Sequence, residues 1–418
     1  MKRPTVASLK KVTAANLAGL GADRLAEILV EAAETRPDLK RRLRMELAAE
    51  QGPEHLVAEI DKRLGSLETS RGRVGWRLRS AFVRDLDALR GLIADRLAAL
   101  DPAAAVDRLW RLMEAATPVS RRFRTRDEAS EAVFARAAGD LGRLIAGYDP
   151  GLAANLLVEA MVRRPAAWVD WLPTLLQETP SSLADNALRL ISERPGAVPG
   201  WLILIRQLAD AAGDVDAFKA TFTRQALETA AIAAEVGRRL LSAGRVGEAG
   251  GILRAAAPKS ALRGSRPPVP DFEWESAWID YLELAGEGDA AQAARWASFE
   301  RTLSVDRARA FTSRLDDFDD VEAETRAFDH AARHPDFERG LRFLMAWPAP
   351  AEAGRMIQAR PDDIQADAQT AETWAARLRL RQPAAAQLLL RKVAAAAFRR
   401  RDFKTCDRLT QEADTIEA

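Results

Sequence analysis

One cysteine in 418 residues excludes a disulfide framework and any zinc or iron–sulfur site built from the cysteines of one chain. Three histidines leave little material for a histidine-rich metal centre. There are only two tyrosines, and runs rich in Val, Ile, Thr and Tyr with alternating polarity are missing, so no strand is expected. Long apolar runs are missing too. Pro195 to Ile205, as long as any uncharged stretch, falls well short of the roughly 18 residues that span a bilayer, and it contains Pro199 and Gly200. The start, Met1-Lys2-Arg3-Pro4-Thr5-Val6, has no apolar run behind it, because Lys10 and Lys11 interrupt it. A cytoplasmic protein without a membrane segment is therefore expected. No G-x-x-x-x-G-K-[ST] loop, G-x-G-x-x-G fingerprint or G-x-S-x-G elbow occurs, so no catalytic residue, cofactor or bound metal is expected either.

What is present is core and charge: 48% hydrophobic and 29% charged residues, enough for a large folded interior. The length suggests about three domains by the prior of ~150 residues each. Apolar residues recur with helical spacing, as in Leu25, Ile28 and Leu29, or Leu86, Leu89 and Ile93. Asp101-Pro102, Asp149-Pro150 and Thr179-Pro180 each put a capping side chain before a proline suited to the first helical position. Gln382-Pro383 opens a similar segment, in which three alanines precede Leu388-Leu389-Leu390. Gly213, Gly244 and Gly286 each sit at the end of one periodic segment, with a small residue (Ala217, Ala249, Ala290) early in the next. That pattern predicts left-handed glycine turns between closely packed antiparallel helices.

The fold expected is all-α, with about twenty helices in irregular antiparallel pairs stacked as an α-solenoid. Turn formers at Lys259, Ser260, Gly264, Ser265, Arg266, Pro267, Pro268 and Pro270 mark a break within 258–271, and Thr117-Pro118 marks a softer one. Three regions are expected: a basic one over 1–126, a central repeat region over 127–262, and a C-terminal repeat region with an acidic segment over 271–418. Trp274, Tyr281, Ala290 and Ala297 fall at the mutual spacings of tetratricopeptide consensus positions, with Gly237, Ala249 and Ala256 a weaker match one unit earlier. Residues 200–300 thus resemble a degenerate tetratricopeptide array, although Trp278 stands where that consensus has glycine. The segments His334-Pro335-Asp336-Phe337, Trp347-Pro348, Gln382-Pro383-Ala384-Ala385-Ala386 and Leu20-Gly21-Ala22-Asp23-Arg24-Leu25 resemble an uncharacterised bacterial family of helical-repeat proteins. That resemblance touches both ends of the chain. It implies a fold and no activity.

Charge sums to +1, yet it is unevenly spread. Residues 1–130 carry a net +6 and residues 271–338 a net −11. The basic concentration is Arg71, Arg73, Arg77, Arg79 and Arg84 with Trp76 and Phe82 interleaved, joined by Arg121, Arg122, Arg124 and Arg126. Guanidinium forks beside aromatic faces suit phosphates and single strands. The plainer reading is a solvated helix face with Trp76 turned into the core, in a chain with 53 arginines against nine lysines. The acidic concentration is Asp316, Asp317, Asp319, Asp320, Glu322 and Glu324, preceded by seven acids between Asp271 and Asp289 with no Lys or Arg among them. It could dock a basic partner, pair with the chain's own arginines, or simply face solvent.

Asp316-Asp317-Phe318-Asp319-Asp320 satisfies the D-D-x-x-D pattern of helical isoprenoid synthases, but the second metal motif of those enzymes is missing. His330 and His334 stand four apart on one helical face, without the glutamate of H-E-x-x-H. Cys406 fits a packing position. The expected function is a non-catalytic scaffold for an unidentified protein or peptide, with a basic partner suited to the acidic segment. The alternatives are a nucleic-acid-associated protein using Arg71, Arg73, Trp76, Arg77, Arg79 and Arg84, and a metal-dependent enzyme on the acidic run with His330 and His334.

Overall fold

The computed structural model describes residues 12–193, 200–258, 269–316 and 318–417. Asp317 and most of the 258–271 break lie outside them. The described residues form helices and turns and no strand. Two compact units divide between Phe222 and Thr223. The longer helices of the first are α1 (Ala22–Thr35), α2 (Pro37–Gln51), α3 (Pro53–Thr69), α4 (Trp76–Gly91), α5 (Pro102–Glu114), α6 (Glu128–Ile145), α7 (Pro150–Arg163), α8 (Pro165–Gln177), α9 (Ser181–Ser192) and α10 (Trp201–Ala212). Those of the second are α11 (Ala230–Ser242), α12 (Val246–Ala255), α13 (Phe272–Leu284), α14 (Gly288–Thr302), α15 (Val305–Thr312), α16 (Asp319–Ala332), α17 (Phe337–Ala346), α18 (Pro350–Ala359), α19 (Ala368–Leu378), α20 (Pro383–Arg399) and α21 (Phe403–Asp414).

The starts are chemically marked. Asp101, Asp149, Asp214, Asp336, Asp367 and Asp402 each accept the backbone N–H three residues on, closing one of the donors a helix leaves open. Thr179 differs from expectation. Its hydroxyl donates back to the Leu176 carbonyl at 3.4 Å, while extended Pro180 becomes the flanking residue and α9 begins at Ser181. Gly213, Gly244 and Gly286 adopt φ of 74°, 74° and 79°, the left-handed turns the sequence predicts. Helix α4 continues through a π-helical turn, Leu92–Leu97, whose extra residue per turn lets Leu92, Ile93 and Ala94 bury in succession.

Within each unit a helix packs on the next and on the next but one. Contacts join α7 to α9, α8 to α10, and α6 to α8 in the first unit. In the second they join α11 to α13, α16 to α18, and α18 to α20. This is the stacking of consecutive antiparallel pairs, an all-α repeat architecture. Small residues set the spacing: a Cβ at Gly142 on α6 would lie 2.5 Å from the Leu175 carbonyl of α8. The first core gathers Trp168 and Trp171 with Trp110 and Phe134. The second runs from Phe299 through Leu341, Phe343 and Ile357 to Leu389 and Leu409. Each fully buried Leu or Phe contributes about 1.5–3 kcal/mol. Cys406 is half-buried against this second core.

The consensus-like spacing of α13 and α14 holds only in part. Trp274 and Tyr281 are buried, and the Trp274 indole donates to the Leu253 carbonyl at 3.0 Å. Ala290, however, is exposed, and Ala291 takes the contact instead, because α14 begins at Gly288 and presents the next residue inward.

Candidate functional site

The acids of 271–338 divide into two groups with different fates. Of the seven earlier acids, Asp271, Glu273, Glu275 and Glu283 are built into unit 2, while Asp280, Glu287 and Asp289 are exposed without an ion-pair partner among the described residues. Asp271 caps α13. Glu275 is buried, accepts from Ser298 at 2.5 Å and pairs with Arg301. Glu283 pairs with the buried Arg295 and with Arg314. Burial alone would raise the Glu283 carboxyl, but hydrogen bonds from Arg314 and Arg295 outweigh it and hold the group below its ordinary value. The sequence shows seven acids without a base. The structure shows bases supplied from other segments, Arg238 of α11 for Glu273 and Arg295, Arg301 and Arg314 from α14 onward.

The described acids of 316–324 remain outside any such network. Asp316, Asp319, Asp320 and Glu322 are exposed, Glu324 is half-buried, and none of these five has an ion-pair partner among the described residues. Asp319, Asp320 and Glu322 occupy the first turn of α16, where the helix dipole favours negative charge. Phe318 and Val321 among them are 83% and 60% exposed. Beside this turn, α14 and α16 bound a groove of about 550 Å³ lined by Trp296, Val321, Glu322 and two ion pairs, Glu300–Arg326 and Asp329–Arg333. Arg326 lies over the Trp296 ring at 3.9 Å and 3.5 Å from Glu300.

The histidines serve the backbone. His330 Nε2 donates to the Glu300 carbonyl at 2.9 Å, tying α16 to α14, and its ring packs on Phe299. His334 lies beyond the helix end, where Nδ1 accepts the Asp336 N–H at 3.1 Å. No group of three or more His, Cys, Asp or Glu side chains able to hold a metal ion occurs among the described residues. Neither does any helix there have the length and apolarity to cross a membrane.

In unit 1 the structure joins the two basic segments. The Val74 N–H donates to the Arg122 carbonyl at 3.0 Å, and the Arg122 guanidinium donates to the Gly72 carbonyl at 2.8 Å. Phe82 and Phe123 meet edge to face at 5.8 Å, with Arg122 over Phe82 at 4.7 Å and Arg79 over Phe123 at 5.7 Å. Arg79 is committed elsewhere than to a ligand: it pairs with buried Asp127, which caps α6. Trp76 is not in the core. It is 79% exposed at the start of α4, with Arg77 at 5.0 Å over its ring. Its place follows from phase, since Leu86 and Leu89 define the buried face of α4 and Trp76 falls off it. Neither the union of the two segments nor the exposure of Trp76 has a signal in composition; both depend on how α4 packs.

The family of unknown function DUF6880 matches residues 7–195 and 201–417. No curated protein matches the chain. Among solved structures, a circular tandem repeat protein with novel repeat topology and enhanced subunit contact surfaces is 14% identical. That match covers 92% of this chain and 96% of the other, at a TM-score of 0.19.

Proposed function

We propose that this chain, which belongs to the family of unknown function DUF6880, is a non-catalytic helical-repeat scaffold whose acid-rimmed groove between α14 and α16 docks a basic peptide segment of another protein. The carrying observation is the conjunction, in one place, of exposed Phe318 and Val321, unpaired Asp316, Asp319, Asp320 and Glu322, and the adjoining groove. Arg326 already illustrates the chemistry that such a groove accepts: a guanidinium laid on Trp296 and paired with Glu300. A Lys- or Arg-rich partner with an apolar anchor would repeat that contact along the rim, and opposite charge would steer its approach.

The test uses the full chain and fluorescently labelled Arg/Leu peptides, read by anisotropy against salt. Binding should weaken as ionic strength rises, because exposed charges are screened beyond ~10 Å at 0.1 M. Reversing Asp316, Asp317, Asp319 and Asp320 to lysine should abolish binding with helical circular dichroism retained. Equal peptide affinity in that folded variant would refute the groove as the docking site.

A further inference from the structure

We infer that the surface where residues 71–84 meet residues 121–124 binds single-stranded nucleic acid, through arginine contacts to phosphates and base stacking on Trp76. This inference rests on unit 1 alone and is independent of the peptide groove.

Arg71, Arg73, Arg77, Arg84, Arg121 and Arg124 are all exposed, and none has a carboxylate partner among the described residues. Nearby acids are spent on other arginines: Asp85 on Arg41 and Arg63, Glu68 on Arg111, and Asp127 on Arg79. The positive charge here is therefore a surplus that the unit does not neutralise. Arg-rich composition alone does not produce it, since Arg63, Arg79, Arg90, Arg108 and Arg111 in the same unit are paired.

The start of α4 adds the positive end of its helix dipole. Gly75 provides no side-chain cap and the first turn carries no acid, so the positive end of a 16-residue helix opens onto the same surface. Arg77, Ser80 and Arg84 follow at i, i+3 and i+7 and are all exposed, which aligns them on one solvent face. Holding Arg77 at a helix N-terminus with no acid beside it costs stability, and an anion would relieve the cost.

Trp76 selects among polyanions. An indole that is 79% exposed, with the Arg77 guanidinium over its ring, offers a stacking face that a duplex, with its bases already stacked, does not need. Leu78 beside it is 66% exposed. A membrane surface fits less well, because an interfacial helix needs an apolar face along its length. Here Trp76 and Leu78 stand at one end of α4, and Leu86 and Leu89 are buried inside the unit. The clasp through Arg122, Gly72 and Val74, with the Phe82–Phe123 contact, holds the surface in shape before any ligand arrives.

Full-length protein would be titrated into labelled 12-nucleotide oligouridine, the corresponding duplex, and phosphatidylserine vesicles over a range of salt. Oligouridine should bind more tightly than duplex, with affinity falling as salt rises. Arg71→Ala, Arg73→Ala, Arg77→Ala combined should weaken binding and flatten the log–log salt slope by about 2, three contacts at ~0.7 each for a single strand. Trp76→Ala should weaken binding roughly tenfold while leaving that slope unchanged, and Trp76→Phe should recover part of the loss. These positions are exposed, so unchanged circular dichroism is expected in each variant. Undiminished binding in the Trp76→Ala protein, tighter binding of duplex, or capture by vesicles without oligouridine would each overturn the inference.

Discussion

Helices α4 and α16 both begin without a side-chain cap, and they are opposite in charge. Each lacks a side-chain cap at its flanking residue, Gly75 in one case and Phe318 in the other. The first turn of α16 carries Asp319, Asp320 and Glu322, which complement the helix dipole. That of α4 carries no acid, and its arginines Arg77 and Arg79 oppose the dipole. The acids thus stabilise their own helix whether or not a partner comes. Of these arginines, Arg79 has its Asp127 pair and Arg77 only the Trp76 ring, and neither gains from the dipole. Charge that serves folding and charge left over from it can be separated by mutation, because the two respond to substitution with opposite sign.

The largest effect sets the scale, and it belongs to neither surface. Arg301→Ala leaves buried Glu275 with only Ser298, and should cost about 3 kcal/mol, read from urea unfolding of the full chain. A loss as small as that of an exposed pair would mean that buried and surface charge are not distinct classes here. Next, Asp319→Lys with Asp320→Lys should destabilise by about 1–2 kcal/mol at low salt, shrinking as salt is added. No change in melting temperature would remove the structural role given to these acids. Smaller and opposite in sign, Arg77→Glu should stabilise by roughly 0.3–1 kcal/mol, since it places an acid at the positive end of α4. Destabilisation there would break the comparison outright.

The smallest effect is a pH dependence in unit 1. Hydrogen bonds from Arg108, against the opposing pull of burial, hold the Asp61 carboxyl below its ordinary value. The unfolded chain, near 3.9, takes up the proton first as pH falls. Asp61 therefore contributes fully above about pH 4 and loses that contribution as the pH drops through the lower folded value. Thermal melts of Asp61→Asn should lie below wild type at pH 7 and converge with it in acid. A gap that persists at low pH would assign the loss to packing rather than charge.

The helical character, the caps at Asp101 and Asp149 and the glycine turns at 213, 244 and 286 are legible because each depends on chemistry within a few residues. Ala290 was misplaced for a related reason: one residue of shift in the start of α14 changes which alanine faces inward, and spacing alone does not resolve a single residue. The candidate surfaces were legible only as lists of charges. Whether Glu283 is free or paired depends on Arg295 and Arg314, twelve and 31 residues on. The meeting of Gly72 with Arg122 spans 50 residues. Charge runs record composition, and pairing across helices decides which of those charges remain available.

The packing of each helix on its neighbours one and two places along the chain constrains how such a protein can change length. Removing one helix reverses the direction of every helix after it in that unit, so faces built to meet no longer do. Removing or duplicating two consecutive helices preserves direction and leaves each survivor with a neighbour of the same kind. Aspartate caps at α5, α7, α17, α19 and α21 provide ready joints, since a new pair ending at such a residue is already supplied with a start for the helix that follows. Members of this family that differ in length should accordingly differ by whole helix pairs, with seams at residues like Asp101 and Asp402 and with odd-helix insertions selected against.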